Sequence, residues 1–459
     1  MNDQSSQNTG NKIIDWLKNS ITARMFMVGA LILILLIPLL FVQDLIRERA
    51  VRQENVISEI NDKWGGEVLF SGPILKIPYR SFREKSISNS QTKEVTTESI
   101  EEVKYAYFLP KNLNIEALVD PKIKKRGIYK TAVYKSQTVL TGIFPVPDFN
   151  EENVAEENIL WEKSRIIFQI SNLKGVSEQV NINIADANYN FTSKYREQNP
   201  LPGPERQLFS MESELLKQEA LPRTKPVSFN MKLSVNGSSQ INFVPVGKIT
   251  EAKISSNWKT NNFTGNFLPY NEDKLTGKGF KAKWKILDIN RPFSQVFMNS
   301  LPNLTEYAFG VNFMIPVDEY QKSERAAKYG FLVIGLTFLL FFLIQTLSKI
   351  PIHPFQYVMI GLGLVMFYTL LISISEHSSF LKAYLIAGTA VILMITLYSK
   401  SILKGWKFPI FTGTSLSSLY AFIYIIIQLE SYALLVGSIG LFLILAGVMY
   451  TSRKIDWEN

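Results

Sequence analysis

The stretch MFMVGALILILLIPLLFV, residues 25–42, decides the class of this protein. It has no charged residue and is close to the roughly 20 residues that a helix needs to cross a bilayer. Further apolar runs of similar length follow at 330–347, 355–374, 383–398, 408–427 and 432–450. Because lipid offers the backbone no hydrogen-bond partner, these runs predict six transmembrane helices and exclude a soluble cytosolic protein.

The first run has the length of a signal-peptide core, but other features favour an anchor. Residues 1–24 precede it, and no small-residue cleavage site follows it. We interpret it as an uncleaved membrane anchor that ends at residue 42.

Charge asymmetry predicts the topology. The tails and loops on one side of the six runs carry these basic residues: Lys12, Lys18, Arg24, Lys349, Lys400, Lys404, Lys407, Arg453 and Lys454. The short loops on the other side, 375–382 and 428–431, contain Lys382 alone among basic residues. By the positive-inside rule both termini are cytoplasmic. Part of the net charge of +9 reflects this asymmetry, and nucleic-acid binding is not indicated.

This topology divides the chain into four parts. Residues 1–24 are a cytoplasmic tail, 25–42 the first transmembrane helix, 43–325 an extracytoplasmic domain, and 326–459 a five-helix bundle with a short cytoplasmic tail. The predicted fold is a polytopic α-helical membrane protein with a large β-rich, sandwich-like extracytoplasmic domain.

The extracytoplasmic domain begins with a predicted helix. Apolar or long side chains recur at helical spacing over 46–64, at Ile46, Ala50, Gln53, Ile57, Ile60 and Trp64. Such a helix is either a stalk or dimerisation seam, or a helix that packs on its own domain. The second alternative is favoured because the stretch covers fewer than three heptads.

Short runs rich in branched and aromatic residues predict strands after this helix. They lie at 67–70, 74–79, 103–109, 127–135, 165–170, 180–184, 227–235, 239–245, 250–258, 279–286 and 311–315. Their spacing favours an antiparallel sandwich, in one or two lobes with a boundary near 188–226. We also predict a short helix at 211–219 and a helix capped by Asp318 that leads into the second span.

Known catalytic and cofactor motifs are missing from the sequence. There is no cysteine, and the two histidines, His353 and His377, lie at the ends of apolar runs. The sequence contains no phosphate-binding loop, dinucleotide fingerprint, HExxH or GxSxG. A basic cluster, Lys122, Lys124, Lys125 and Arg126, is either an anion site or, as we favour, a solvated loop. No cofactor, no metal and no catalytic residue is predicted.

Ionisable residues at the membrane edge are the candidate functional residues. Glu376 and His377 follow the third run and Lys382 begins the fourth, so they could handle a proton or a substrate. The alternative, which we favour, is an interfacial loop in which Glu376 pairs with Lys382. A hydrolase built on His377 would need a nearby serine, for which the chain offers Ser373, Ser375 and Ser415.

Three further candidates lie elsewhere on the predicted helices. Gln345 in the second run is predicted to hydrogen-bond to another helix. His353, followed by Pro354, is predicted to start the third span. Arg325 is predicted just outside the membrane, on the helix that enters the second span.

Several motifs together resemble one known family. They are Ile46-Arg47-Glu48-Arg49, Gly72-Pro73-Ile74, Phe108-Leu109-Pro110, Ser256-Asn257-Trp258, Phe267-Leu268-Pro269, Tyr320-Gln321, His353-Pro354, Ser375-Glu376-His377 and Leu403-Lys404-Gly405-Trp406. This combination resembles the CreD family of bacterial inner-membrane proteins. Gln345 is a departure, since a glutamate is expected in relatives, and 188–226 matches poorly.

The resemblance implies a role in cell-envelope integrity and in tolerance of envelope stress, and it implies no enzyme activity or cofactor. We therefore expect a non-catalytic protein that contacts membrane lipid and periplasmic or envelope proteins, with its oligomeric state left open. The alternatives are an intramembrane hydrolase that uses Glu376 and His377, and a transporter or lipid-handling protein.

Overall fold

A computed structural model describes most of the chain. The described residues are 21–88, 95–149, 154–193, 208–315, 319–348, 350–403, 405–429 and 432–453. They divide into two compact units. The helical unit comprises Met1–Glu54 and Val317–Asn459, and the β-rich unit comprises Asn55–Pro316.

The helices agree with the predicted spans. They are α1 (Ile21–Trp64), α2 (Glu319–Lys328), α3 (Gly330–Ser348), α4 (Pro354–Ser375), α5 (Phe380–Ile402), α6 (Lys407–Gln428) and α7 (Ala433–Ser452). With α2 and α3 taken together, six helices of the described chain are long and apolar enough to cross a membrane. The prediction of six spans is confirmed. Asp318, the predicted cap of α2, lies outside the described residues.

Helix α1 joins the first apolar run to the amphipathic segment that follows it, without interruption. Its last turns pack on the β-rich unit to which they belong. Asn61 donates a hydrogen bond to Ser239 Oγ (3.1 Å) and accepts one from Thr131 Oγ1 (3.0 Å). The Lys124 ammonium lies 4.8 Å from the centre of the Trp64 ring. This end of the helix therefore packs on its own domain, as the favoured alternative predicts.

Small residues let α1 approach the other helices of the helical unit. A Cβ on Gly361 of α4 would lie 2.1 Å from Leu35 Cδ1. Leu35 is buried, and the glycine makes the room for its side chain. The first span is thus packed against the later helices.

The β-rich unit contains one mixed sheet of sixteen described strands. Their bounds are β1 (Val68–Ser88), β2 (Val95–Phe108), β3 (Asn112–Arg126), β4 (Tyr129–Phe144), β5 (Arg165–Ile170), β6 (Asn181–Ile184), β7 (Ala187–Ser193), β8 (Phe209–Ser213), β9 (Val227–Ser238), β10 (Gln240–Phe243), β11 (Ile249–Ser256), β12 (Asn261–Gly265), β13 (Leu275–Thr276), β14 (Gly279–Leu287), β15 (Val296–Met298) and β16 (Phe309–Phe313). The order is β12-β16-β10-β1-β5-β8-β7-β6-β9-β4-β3-β11-β14-β13, with β2 paired to β1 and β15 to β2.

Two parts of this sheet pack face to face. Tyr134 of β4 donates a hydrogen bond to Gln240 O of β10 (2.7 Å), and its ring contacts Phe313 of β16. Trp284 of β14 packs on Phe309 of β16, with 5.4 Å between ring centroids. The core between the two parts is therefore aromatic, and the predicted sandwich-like fold is confirmed.

Three details of the prediction were wrong. The sheet is mixed, because β1 pairs in parallel with β10 and β3 pairs in parallel with β11. The predicted helix at 211–219 is replaced by β8, which pairs with β5 and β7, and by a short 3-10 helix at Gln218–Ala220. The basic cluster at 122–126 is the end of β3, paired with β4, and its side chains are exposed. The parallel pairings join strands that are distant in sequence, and strands β3, β7 and β8 were not predicted from the sequence.

Candidate functional site

A polar cluster lies where several helices of the helical unit end. Helix α4 finishes at Ser375, whose hydroxyl donates to Ile372 O (3.0 Å). Glu376 follows as the residue after the last helical turn, and its backbone N–H still bonds to Ile372 O. Its side chain is therefore fixed close to the end of a helix.

The Glu376 carboxylate has two partners from other helices. Arg49 Nη1 of α1 lies 3.7 Å from Glu376 Oε1, and the Tyr320 hydroxyl of α2 donates to the same oxygen at 3.1 Å. The Glu376 side chain is 14% exposed and that of Arg49 is 38% exposed. A carboxylate that is largely shielded from water is stabilised by a nearby cation and by hydrogen-bond donors. For Glu376, Arg49 is the cation and Tyr320 is the donor.

A second carboxylate of the cluster caps a helix. Ser379 precedes α5, but its side chain makes no capping hydrogen bond. Instead Glu319 Oε2 of α2 accepts from Phe380 N at 2.9 Å. A negative charge at a helix N-terminus satisfies a free N–H and interacts favourably with the helix dipole. Gln43 of α1 also donates to Ala327 O of α2 (3.0 Å), so side chains cross-link α1, α2, α4 and α5.

The predicted pairing of Glu376 with Lys382 was wrong. Lys382 lies in the first turn of α5 and is exposed, whereas Glu376 faces Arg49 and Tyr320. His377 is exposed as well. Among the residues that the structure describes, no hydrogen bond joins His377 to a serine, and the Ser375 hydroxyl is bonded to the backbone.

Two other candidates, Gln345 and His353, lie near the end of α3 and at the start of α4, away from Glu376. The Tyr357 hydroxyl of α4 donates to Gln345 Oε1 of α3 at 2.8 Å, and both side chains are buried. The predicted interhelical hydrogen bond of Gln345 is thus confirmed. His353 is the N-cap of α4, where its Nδ1 accepts from Phe355 N (3.2 Å), so its predicted place at the start of this span is confirmed.

The predicted candidates therefore do not form one site. Glu376 and His377 lie at one end of α4, while Gln345 and His353 lie towards the other, and Arg325 is half-buried on α2. Within the described chain, no group of three or more His, Cys, Asp or Glu side chains is placed to hold a metal ion. The cluster instead holds helix ends together by charge and hydrogen bonding.

Arg49, Glu319 and Tyr320 were missed as partners of this cluster. Arg49 and Tyr320 belong to motifs of the family resemblance, which was a usable signal. The partners of Arg49, Glu319 and Tyr320 depend on how helices that are far apart in sequence pack together. The periodicity of apolar residues carries no information on this packing.

Comparison with known proteins assigns the family. The family profile described as "Inner membrane protein CreD" matches residues 20–458. The chain belongs to the CreD family. Inner membrane protein CreD of Escherichia coli (strain K12) is 30% identical over 443 residues, which are 96% of this chain and 94% of that protein. The predicted resemblance is confirmed, and this CreD family member is a multi-pass inner-membrane protein in contact with the lipid bilayer.

Proposed function

We propose that the protein supports the integrity of the bacterial cell envelope without catalysing a reaction. The observation that carries this proposal is the combination of a CreD-family chain with a membrane unit and a large β-rich unit that share one continuous helix, α1. At 1.5 Å per residue, its 44 residues extend for about 66 Å. The β-rich unit presents a large surface to envelope partners, and the helical unit retains it in the membrane.

The proposed topology places both termini in the cytoplasm and the β-rich unit in the periplasm. Basic residues lie in the last turn of α5, at the start of α6 and after α7, at Lys400, Lys407 and Arg453. On the other side, the α4–α5 connection and the first turn of α5 carry Lys382 as their basic residue. This asymmetry supports the orientation. Reporter fusions after residues 200 and 404 test it, and a cytoplasmic signal from the first or a periplasmic signal from the second would overturn it.

A structural role for the Glu376 cluster supports the non-catalytic part of the proposal. A general acid or base must reach the substrate, yet the Glu376 carboxylate is engaged by Arg49 and Tyr320. These contacts hold α1 against α2 and α4. In this proposal the cluster fixes the helix that leads into the β-rich unit.

Complementation of a deletion strain tests the function. We expect the strain to become sensitive to envelope-damaging agents, and we expect wild-type protein to restore tolerance. His377→Ala should restore it as well, at normal abundance, because this side chain is exposed and the proposal gives it no chemistry.

The matched variant is Ser378→Ala, which alters the neighbouring residue of the same turn. A His377→Ala protein that is abundant and folded but inactive, beside an active Ser378→Ala protein, would favour an enzyme. A deletion strain that matches wild type under every envelope stress would overturn the proposed role in integrity.

A further inference from the structure

A groove opens between three membrane-spanning helices, α3, α6 and α7. Its volume is about 470 Å³, within the range of binding pockets for small ligands. Its aliphatic lining includes Leu336, Leu340, Leu343, Leu416, Leu443 and Ile444. Most of the lining residues are aliphatic, so the groove suits a hydrocarbon ligand.

Short side chains create the groove. Thr337, Ser415 and Ser418 stand among leucines, and each leaves room that a longer side chain would fill. At the far end, a Cβ on Gly440 would lie 2.1 Å from Phe422 Cζ, so α6 and α7 are in close contact there. From this contact the groove extends towards Ser415 of α6 and Val448 of α7.

Basic residues lie beyond the end of the groove that is away from this contact. Lys407 begins α6, eight residues before Ser415, which corresponds to roughly 12 Å along the helix axis. Arg453 follows α7, five residues after Val448, or roughly 8 Å. Both side chains are exposed. The two positions share one end of the helical unit, because Phe422 meets Gly440 and the two helices are antiparallel.

These distances fit one leaflet of a bilayer. Half of the hydrocarbon core is roughly 15 Å thick, so an acyl chain that starts beside Lys407 and Arg453 reaches the depth of Ser415 and Ile444. At this depth the transmembrane helices are surrounded by the acyl chains of lipids, so acyl chains are available to enter the groove. Positive charges at the level of the headgroups attract anionic lipids.

We propose that this groove binds one acyl chain of an anionic phospholipid whose headgroup lies at Lys407 and Arg453. The ligand differs from the surrounding lipid in two ways. It occupies a recess between helices instead of a helix surface, and its headgroup is selected by charge. This assignment stands independently of the role in envelope integrity.

Lipid titration of the purified full-length protein in detergent, followed by native mass spectrometry, tests the proposal. The probes are phosphatidylglycerol and phosphatidylcholine with the same acyl chains. We expect one tightly retained phosphatidylglycerol. The Lys407→Gln/Arg453→Gln variant should bind it roughly thirtyfold more weakly, equivalent to about 1 kcal/mol per basic side chain, and should lose the preference for this lipid. Lys382→Gln, which removes a charge at the other end of the helices, is the matched control.

The groove itself is tested by filling it. Ser415→Phe places a ring in the recess and should abolish the tight binding, whereas Ser438→Phe on the exposed side of α7 should preserve it. If Ser415→Phe does not fold, Ser418→Phe fills the same wall, and the charge variant alters no groove residue. Equal binding of both lipids, several equivalent weak adducts, or unchanged binding after the recess is filled would each overturn the proposal.

Discussion

The two units of the protein bury polar side chains in different ways. In the β-rich unit, Lys76 Nζ and Glu212 Oε1 form an ion pair at 2.8 Å, with side chains that are 17% and 10% exposed. In the helical unit, the polar pair inside the bundle is uncharged and consists of Gln345 and Tyr357. The charged contact described above, from Arg49 to Glu376, lies where α4 ends.

This difference follows from the surroundings of each unit. A charge near the middle of a bilayer costs roughly 2.5–3.5 kcal/mol, and its cost falls towards the interface. An amide and a hydroxyl avoid this cost when they bond to each other. In a domain surrounded by water, a partly buried ion pair keeps some hydration and can include a second cation. The second cation here is Arg165, whose Nε lies 4.0 Å from the other Glu212 oxygen.

Arg291 is a charged residue of the β-rich unit that is almost completely buried. The residue is 2% exposed, and its guanidinium donates to the carbonyls of Gly247 (2.8 Å) and Phe293 (3.3 Å). It also lies over the Phe293 ring at 3.9 Å. Burial lowers the pKa of Arg291 to about 10, with nearby Asp288 opposing the shift, so the side chain stays charged at neutral pH.

The largest predicted effect is the loss of Glu212. Glu212→Ala leaves Lys76 without its carboxylate in a mostly buried place, and we expect a loss of about 3 kcal/mol in the free energy of unfolding. Denaturant titration of the full-length protein in detergent, followed by tryptophan fluorescence, measures it.

Two controls sharpen this prediction. Glu251→Ala breaks the exposed pair with Lys285 (3.0 Å) and should cost less than about 1 kcal/mol. The apolar replacement Lys76→Met/Glu212→Leu should recover most of the stability. Equal losses for Glu212→Ala and Glu251→Ala would show that burial does not distinguish the two pairs.

The next effect is expected inside the helical unit. Gln345→Leu and Tyr357→Phe each remove one partner of the uncharged pair, and a double-mutant cycle isolates their interaction. We expect a coupling of roughly 0.6 kcal/mol and at most about 1.7 kcal/mol, as for other hydrogen bonds between membrane helices. Unfolding by titration with a denaturing detergent measures the coupling, and a value above about 3 kcal/mol would contradict the small contribution expected of an uncharged pair.

Local patterns predicted the elements better than their partners. The apolar runs specified six spans because each span satisfies its own backbone hydrogen bonds. Strand β3 was missed although its side chains alternate between buried and exposed from Leu113 to Val119, because charges and Pro121 follow. Its parallel partner β11 lies more than a hundred residues away, and no local pattern specifies such a pairing.

The candidate site shows the same limit. Glu376 stood out because it directly follows a span, and ionisable groups within or against spans often have a functional or pairing role. Its partner was assigned to Lys382, which is near in sequence, whereas Arg49 lies more than three hundred residues away. Gln345 was predicted correctly as a hydrogen-bonding residue because an amide in a span needs some partner, but Tyr357 could not be named.

A smaller effect is expected for the charged contact at the helix ends. Arg49 is more than a third exposed and lies 3.7 Å from the carboxylate, so screening reduces the interaction. A double-mutant cycle of Arg49→Gln and Glu376→Gln should give a coupling of roughly 0.2–1 kcal/mol that decreases in high salt. The matched cycle of Lys382→Gln with Glu376→Gln should give no coupling. Coupling of Glu376 with Lys382 and none with Arg49 would support the Glu376–Lys382 pair that the sequence suggested.

The smallest effect is expected at Glu59, on the part of α1 that belongs to the β-rich unit. Hydrogen bonds from Lys63 and Arg126 lower the pKa of this exposed carboxyl below its usual value of 4.5. The folded state therefore keeps the carboxylate charged at a lower pH than the unfolded state does. Its contribution to stability is present above pH 4.5 and is lost as the pH falls through the lower folded pKa. Glu59→Gln should make the free energy of unfolding less dependent on pH in this window. Near pH 7 the pH dependence should be the same in the variant and in the wild type. Asp62→Asn on the same helix is the control, and an equal change in both variants would assign the effect to net charge instead of to these two hydrogen bonds.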